Sequence, residues 1–452
     1  MCDKEVLLMK SNESLFRDQP VWKAIMHVTL PSVFTILIMI VYNMTDMYFI
    51  GQLGDTAKVG AIAAVTPAFS IFNALATMIG IGGSAAIAKT FGAGDREKAR
   101  ILSSLCGWAC IISGIIGAAV LIVFTDPLLS LLGATEDMWT DAALYMRMMA
   151  LGAPFMLFSV GFASLLRAEG AIIDGFKGNL LGTVLNILLD PLFILVFRMG
   201  CAGAAIATAL GNFAASLYYL NYVFRKSEIL TLKPSYALKE PQAIFHILML
   251  GLPNALSSIL SGFSSTFGNR LLNPYGSAAL AANGASGKVT LLITMILMGI
   301  CMGSQTLMAY NYGSGNTERL KEIMKKLIIL TVSFGLVSTL ICTFARHTLI
   351  SLFLKDASAA AMGEQIVVWH LMSGPVIGLF YLGTNFLQAS GNAVRATFVS
   401  LLRQGIILIP CLYLMHALLG FTGIAAAHAI ADISSALIAA FIAYRQYRKL
   451  GM

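Results

Sequence analysis

The chain has 452 residues, 58% of them hydrophobic and only 12% charged, with a mean hydropathy of +0.81. A soluble chain carries about a quarter of its residues as charges, so half that density excludes a water-covered globular protein and leaves most of the surface to lipid. The formal charge of +8 does not signal nucleic acid, because Lys and Arg fall in short loops between apolar stretches, with no basic face interleaved with aromatics.

The N-terminus is polar to about Gln19, and no small-residue cleavage site follows a short apolar core. The first apolar stretch is therefore expected to be a span in its own right and not a signal peptide. Roughly 20 apolar residues cross ~30 Å of hydrocarbon, and such runs recur along the whole chain. They predict an all-α polytopic membrane protein with twelve transmembrane helices. In the first half the spans fall at 22–50, 60–88, 101–125, 140–166, 178–197 and 201–224. A polar, Pro-containing connection follows from Arg225 to Gln242. The second half has spans at 244–272, 278–310, 327–345, 367–390, 397–416 and 420–444. The expected organisation is an N-terminal six-helix bundle over 1–224, a cytoplasmic linker over 225–243 that serves as a hinge, and a C-terminal six-helix bundle over 244–452.

Charge placement gives the orientation. One side of the membrane receives Lys89, Arg96, Lys98 and Arg100, then Arg225, Lys226, Lys233 and Lys239, then Arg319, Lys321, Lys325 and Lys326. The opposite side has few basic residues and is acidic around Glu136, Asp137 and Asp141. The positive-inside rule then puts both termini in the cytoplasm; the plasma (inner) membrane is the expected location. The seven cysteines are scattered, without a disulfide or zinc spacing, and read as small packing residues.

The two halves repeat. Gly83-Ser84 and Phe91-Gly92-Ala93-Gly94-Asp95-Arg96 after span 2 return as Gly303-Ser304 and Tyr312-Gly313-Ser314-Gly315-Asn316-Thr317 after span 8. At an offset of about 220 residues, Pro31 matches Pro253, and Gly152-Ala153-Pro154 matches Ser373-Gly374-Pro375. Arg167-Ala168-Glu169-Gly170 matches Gln388-Ala389-Ser390-Gly391, and Gly200 matches Gly420. An even number of spans per half inserts both halves the same way up, the arrangement of a transporter with two pseudo-symmetric bundles.

Ionisable side chains inside spans are costly and need a reason. The first half has Asp46 and Asp190; the second has Lys288, Arg403, His428 and Asp432, with Arg270 near a span end. Asn186 and Asp190 are four apart and share a helix face, as do Asn43 and Asp46, three apart. Pro191 cannot donate to the carbonyl of Ile187. With Thr208 at the same depth, these oxygens suit a small hard cation or a proton. His428 stands where the repeat puts Thr208, four residues before Asp432. That pair reads as a second proton-linked site, as a structural hydrogen-bonded pair, or as a site where Lys288 neutralises Asp432.

The run Tyr42-Asn43-Met44-Thr45-Asp46-Met47-Tyr48-Phe49-Ile50-Gly51, the run Asn186-Ile187-Leu188-Leu189-Asp190-Pro191 and the two glycine loops resemble the multidrug and toxic compound extrusion (MATE) family over essentially the full chain, nearest its DNA-damage-inducible-F branch. The resemblance implies that Asp46, Asn186, Asp190 and Thr208 bind the coupling ion, H⁺ or Na⁺, with no organic cofactor. It implies a substrate cavity at Tyr42, Asn43 and Asn212, and a bend of span 1 at Pro31. Another branch relies on carboxylates in spans 7 and 10; this sequence has none in those spans, so that mechanism is not expected here. The implied activity is antiport by alternating access, exporting lipophilic, often cationic, small molecules, from a monomer in the bilayer. The 23 Met would line an adaptable cavity or simply face lipid. The rival readings are a lipid-linked sugar flippase of the same superfamily, an intramembrane enzyme, for which no HExxH or GxSxG appears, and a channel.

Overall fold

Hydrocarbon offers no water to backbone polar groups, and a helix satisfies them within one segment. The computed structural model describes residues 13–51, 56–354 and 356–449, and regular structure within them is helical. The first repeat builds α1 (Val21–Gly51), α2 (Thr56–Gly92), α3 (Arg96–Val123), α4 (Trp139–Ala168), α5 (Ile172–Pro191) and α6 (Gly200–Arg225). The second builds α7 (Ala243–Leu272), α8 (Gly276–Gly313), α9 (Thr317–Phe344), α10 (Ala357–Leu371), α11 (Gly374–Ala389), α12 (Ala393–Leu401), α13 (Leu408–Leu419) and α14 (Phe421–Arg448). Ten stretches of the described residues are long and apolar enough to cross a membrane; one, Ala243–Gly313, holds both α7 and α8, and the bent pair α10–α11 adds another. Counted so, the spans are twelve, as expected. Faces such as Ile115, Ile116 and Val120 on α3, or Leu336, Val337 and Leu340 on α9, stay exposed, as a lipid-facing surface requires.

Two spans depart from the simple helices expected. Span 10 begins at Ala357, not near 367, and breaks before α11, which leaves at 48°. Pro375 sits in the first turn of α11, where its missing N–H costs nothing, whereas the matching Pro154 stays inside continuous α4. The longer span also takes in Glu364, which the expected boundaries left out; it meets His347 at 2.7 Å and Arg346 at 3.8 Å. Span 11 is α12 and α13 joined by a π-helical stretch, Leu402–Ile407, and α5 continues past Pro191 as a second one, Leu192–Val196.

The repeat extends to backbone detail. Gly94 and Gly315 adopt φ of +83° and +68°, a conformation only glycine takes freely. The residue after each caps the next helix: Asp95 accepts from the Lys98 N–H and Asn316 from that of Arg319. Gly114 of α3 lies against Pro154, and Gly335 of α9 against Gly374, close enough that a Cβ on either would strike backbone.

Packing divides the chain into two compact units, one formed by Met1–Asp18 with Phe34–Gly251 and the other by Gln19–Val33 with Leu252–Met452. Each unit thus includes the beginning of the other repeat's first helix. The breaks fall just past Pro31 in α1 and just before Pro253 in α7, the two matched prolines. In the first unit α4 is the central helix, packed on α2, α3 and α6, and α5 packs on α6. In the second, α14 packs on α10, α11 and α13, and α8 on α10 and α11.

The connection expected to be a loose hinge is fastened to the first unit at its start. The α3 side chains Arg100, Ser104 and Trp108 donate to the carbonyls of Glu228, Lys233 and Leu232 at 2.9, 2.7 and 3.0 Å, and the Thr231 N–H donates to Ser103 at 3.1 Å. Ile229 and Leu230 are buried. Glu169, just beyond α4, accepts from Ser227 Oγ (2.6 Å) and from the Glu228 N–H (3.0 Å). Burial pushes its carboxyl up to about 7.

Candidate functional site

Three helices of the first unit bring the first-half residues together. Asn186 and Asp190, one turn apart on α5, are both buried, Asp190 completely. With its amide nitrogen toward Asp190 Oδ2 (3.2 Å), the Asn186 oxygen accepts from the Thr208 N–H (3.1 Å), which satisfies both ends of the amide. The Thr208 hydroxyl meets that of Tyr42 across 3.3 Å. One turn along α6, Asn212 donates to the Thr208 carbonyl (2.9 Å) and accepts from Ser159 Oγ of α4 (2.7 Å). α5 and α6 can approach this closely because Gly182 and Gly211 face each other; a Cβ on Gly182 would lie 2.7 Å from the Gly211 carbonyl oxygen.

Asp46 of α1 adds the second carboxylate. Its charge acts on Asp190, and both act on Tyr42. Its Oδ1 is buried and has no hydrogen-bond partner among the described residues, an arrangement that is expensive unless a positive charge completes it. The donors are oxygens from two carboxylates and hydroxyls, which fit a proton or a hard cation. Among the described residues no group of three or more His, Cys, Asp or Glu stands ready for a transition metal.

Beside these residues lies a cavity of about 390 Å³, lined by Tyr42, Asn186, Thr208 and Asn212. Asp46 and Asp190 do not line it. Its wall is partly polar, with Thr66, Ser70 and Asn73 of α2 and Asn179 and Thr183 of α5, and partly apolar, with Met39, Met149 and Met156. The sequence reading missed these polar residues and Ser159. A signal was present: Thr66, Ser70 and Asn73, like Asn179, Thr183 and Asn186, follow an i, i+4, i+7 pattern that puts each trio on one helix face. The Asn43 side chain lies outside the described residues. Pro31 is inside α1, at the break between the units.

In the second unit, His428 and Asp432 share a face of α14, but Lys288 is not the neutralising partner. Arg403 Nε donates to Asp432 Oδ1 at 2.7 Å, and Ser373 Oγ donates to Oδ2 at 3.0 Å. Lys288 instead lies over the Phe353 ring at 5.4 Å. Arg403 stands in the π-helical stretch before α13, whose widened turn changes which side chains face α14.

Comparison with known proteins fits this geometry. The MatE family model matches twice, over residues 31–192 and 253–414, an offset equal to that between Pro31 and Pro253. The chain is 34% identical over 429 residues to the multidrug export protein MepA of Staphylococcus saprophyticus and 33% identical over 430 residues to MepA of Staphylococcus aureus, with 95% of each chain covered. Among solved structures it resembles an outward-facing multidrug resistance MATE family transporter (TM-score 0.91, 22% identity, 97% of this chain and 98% of that one). It also resembles a MATE protein crystallised with MaL6 (TM-score 0.90, 22% identity, 97% and 99%). At such identity the structural likeness speaks for the fold alone.

Proposed function

Because this chain belongs to the MatE family of membrane transporters, which are not enzymes, we propose that it is a multidrug efflux transporter driven by cation antiport. What supports this reading above all is the Asp46 Oδ1, buried without a hydrogen-bond partner among the described residues, whose charge acts on buried Asp190 and which lies one turn from Tyr42 in the wall of a cavity of mixed polarity. Asp46 and Asp190, with Asn186 and Thr208, hold the coupling ion, H⁺ or Na⁺. Asn186 positions Asp190, and Tyr42 ties α1 to α6 through Thr208. A lipophilic cation competes for the same two negative charges, so that ion and substrate occupy the unit alternately. Tyr42 and Asn212 offer hydrogen bonds to substrate, and the three cavity methionines repack around different shapes. Bending of α1 at Pro31 exchanges the access. The protein resides in the plasma membrane with both termini cytoplasmic, as a monomer.

A lipid-linked sugar flippase is the less favoured reading. It needs free cationic side chains for a pyrophosphate, and Arg403 is engaged by Asp432.

The deciding experiment is release of a lipophilic cation from proteoliposomes under an imposed Na⁺ or pH gradient, comparing wild type with Asp46→Asn and Asp190→Asn. The expected result is gradient-driven release that both substitutions abolish, and the effective gradient names the ion. Unchanged release in both variants would refute the assignment.

A further inference from the structure

The second unit contains a cluster of titratable groups that the proposed antiport does not use. Asp432 of α14 is gripped by Arg403 Nε (2.7 Å) and Ser373 Oγ (3.0 Å), and Arg403 also donates to the Tyr381 hydroxyl of α11 (3.1 Å). Only 13% of the Arg403 side chain and 22% of that of Asp432 are exposed. One turn before Asp432, the His428 ring packs against that of His370 from α10, centroids 5.1 Å apart. His370 Nε2 is buried without a hydrogen-bond partner among the described residues. Asp432 and Arg403 are the charges acting on His428; His428 and Asp432 are those acting on His370. The other ionisable residues on the packed helices look elsewhere. Glu364 of α10 pairs with His347, His416 of α13 packs against Tyr275, and Lys288 of α8 lies over Phe353.

Charge counting says what such a cluster does. With Arg403 and Asp432 ionised and both imidazoles neutral, it is electrically balanced. A proton on either ring leaves an excess positive charge among groups largely withdrawn from water, beside a guanidinium that cannot shed its own proton. His428, one turn from Asp432, then becomes a rival for that carboxylate. Arg403 stands on a π-helical stretch and Ser373 at the 48° break between α10 and α11, both places where a helix changes geometry at modest cost.

We infer that the second unit has a proton-binding site of its own, the His370–His428 pair, whose occupation opens the Arg403–Asp432 latch. The latch is closed while both rings are neutral, and its open form gains population as the pH falls below the free-ring value of about 6.5, where an exposed imidazole takes up a proton that the closed cluster resists.

Hydrogen exchange of the full-length protein in nanodiscs, corrected for the intrinsic effect of pH, tests this. Between about pH 8 and about pH 5.5, protection of the peptide spanning His428 and Asp432 is expected to fall about tenfold, the change that one unit of differential proton affinity produces. The response disappears in His370→Gln/His428→Gln and persists in Asp190→Asn, which removes only the proposed ion site. Protection independent of pH in wild type, or a response lost with Asp190 and kept without the histidines, overturns the inference. Should the double variant fail to fold, ring ¹⁵N spectra of the wild type decide, since six histidines are few enough to assign. Proton uptake by the His370–His428 pair over the same range supports the site, and rings that stay neutral throughout refute it.

Discussion

The two units share one backbone plan, apart from the break in span 10, and differ most in the chemistry of one matched region. At matched repeat positions, Thr208 and Asn212 on α6 become His428 and Asp432 on α14, while Asp46 and Asp190 are replaced by Gly268 and Cys411. Gly182, which lets α5 and α6 meet beside the cavity, has Arg403 as its counterpart at the offset that relates Arg167 to Gln388. In the first unit, buried acceptors lack a built-in cation; in the second, the cation is a side chain of the protein itself. Duplication kept what the fold needs, the caps, the positive-φ glycines and the close crossings, and freed the polar positions to take up different chemistry.

The sharpest way to break the comparison is Arg403→Met. It leaves Asp432 charged and unpaired, and should destabilise the protein by about 3–5 kcal/mol, most of which Arg403→Met/Asp432→Leu should restore. Asn212→Ala, at the first-unit position that matches Asp432, removes neutral hydrogen bonds only and should cost about 1 kcal/mol. Thermal melts in detergent would show whether the two units differ in this way. Next in size, Asn186→Ala frees Asp190 from its positioning contact and should raise the ion concentration for half-maximal efflux by about 10–100-fold, with no effect on the response of the His428 peptide. Glu169 has no carboxyl counterpart, since Ser390 takes its place. Its carboxyl is raised from 4.5 to about 7, so the folded state favours the protonated form. The resulting stability is complete below pH 4.5 and is lost as pH rises to about 7. Wild-type melting temperature should therefore decline relative to Glu169→Gln across that window, and parallel curves would remove Glu169 from the account. The smallest effects test sameness: Asp95→Ala and Asn316→Ala should each cost about 1 kcal/mol, equally.

Sequence was a good guide wherever one segment decides the outcome. Span number, repeat offset and glycine loops follow from hydropathy and spacing, and the neighbourhood of Tyr42, Asn186, Thr208 and Asn212 follows from the family resemblance together with the helix spacing of Asn186 and Asp190. It was a poor guide where partners come from different helices. Arg403 is 29 residues from Asp432 and reaches it from a π-helical turn, so counting in steps of 3.6 could not pair them. The docking of residues 227–233 on α3 is also unreadable locally, because it uses backbone carbonyls as acceptors. The break in span 10 at Gly374-Pro375 was hidden because the matching segment Gly152-Ala153-Pro154, with its proline at the same repeat position, is accommodated in an unbroken α4.

The beginning of α1 packs in the second unit, with the Val28 carbonyl against Gly303, and the beginning of α7 packs in the first, with the Ile247 carbonyl against Gly82. A single repeat expressed alone, cut in the connection between α6 and α7, would therefore lack a helical segment that its own unit includes, so each half is expected to depend on the other for a complete core.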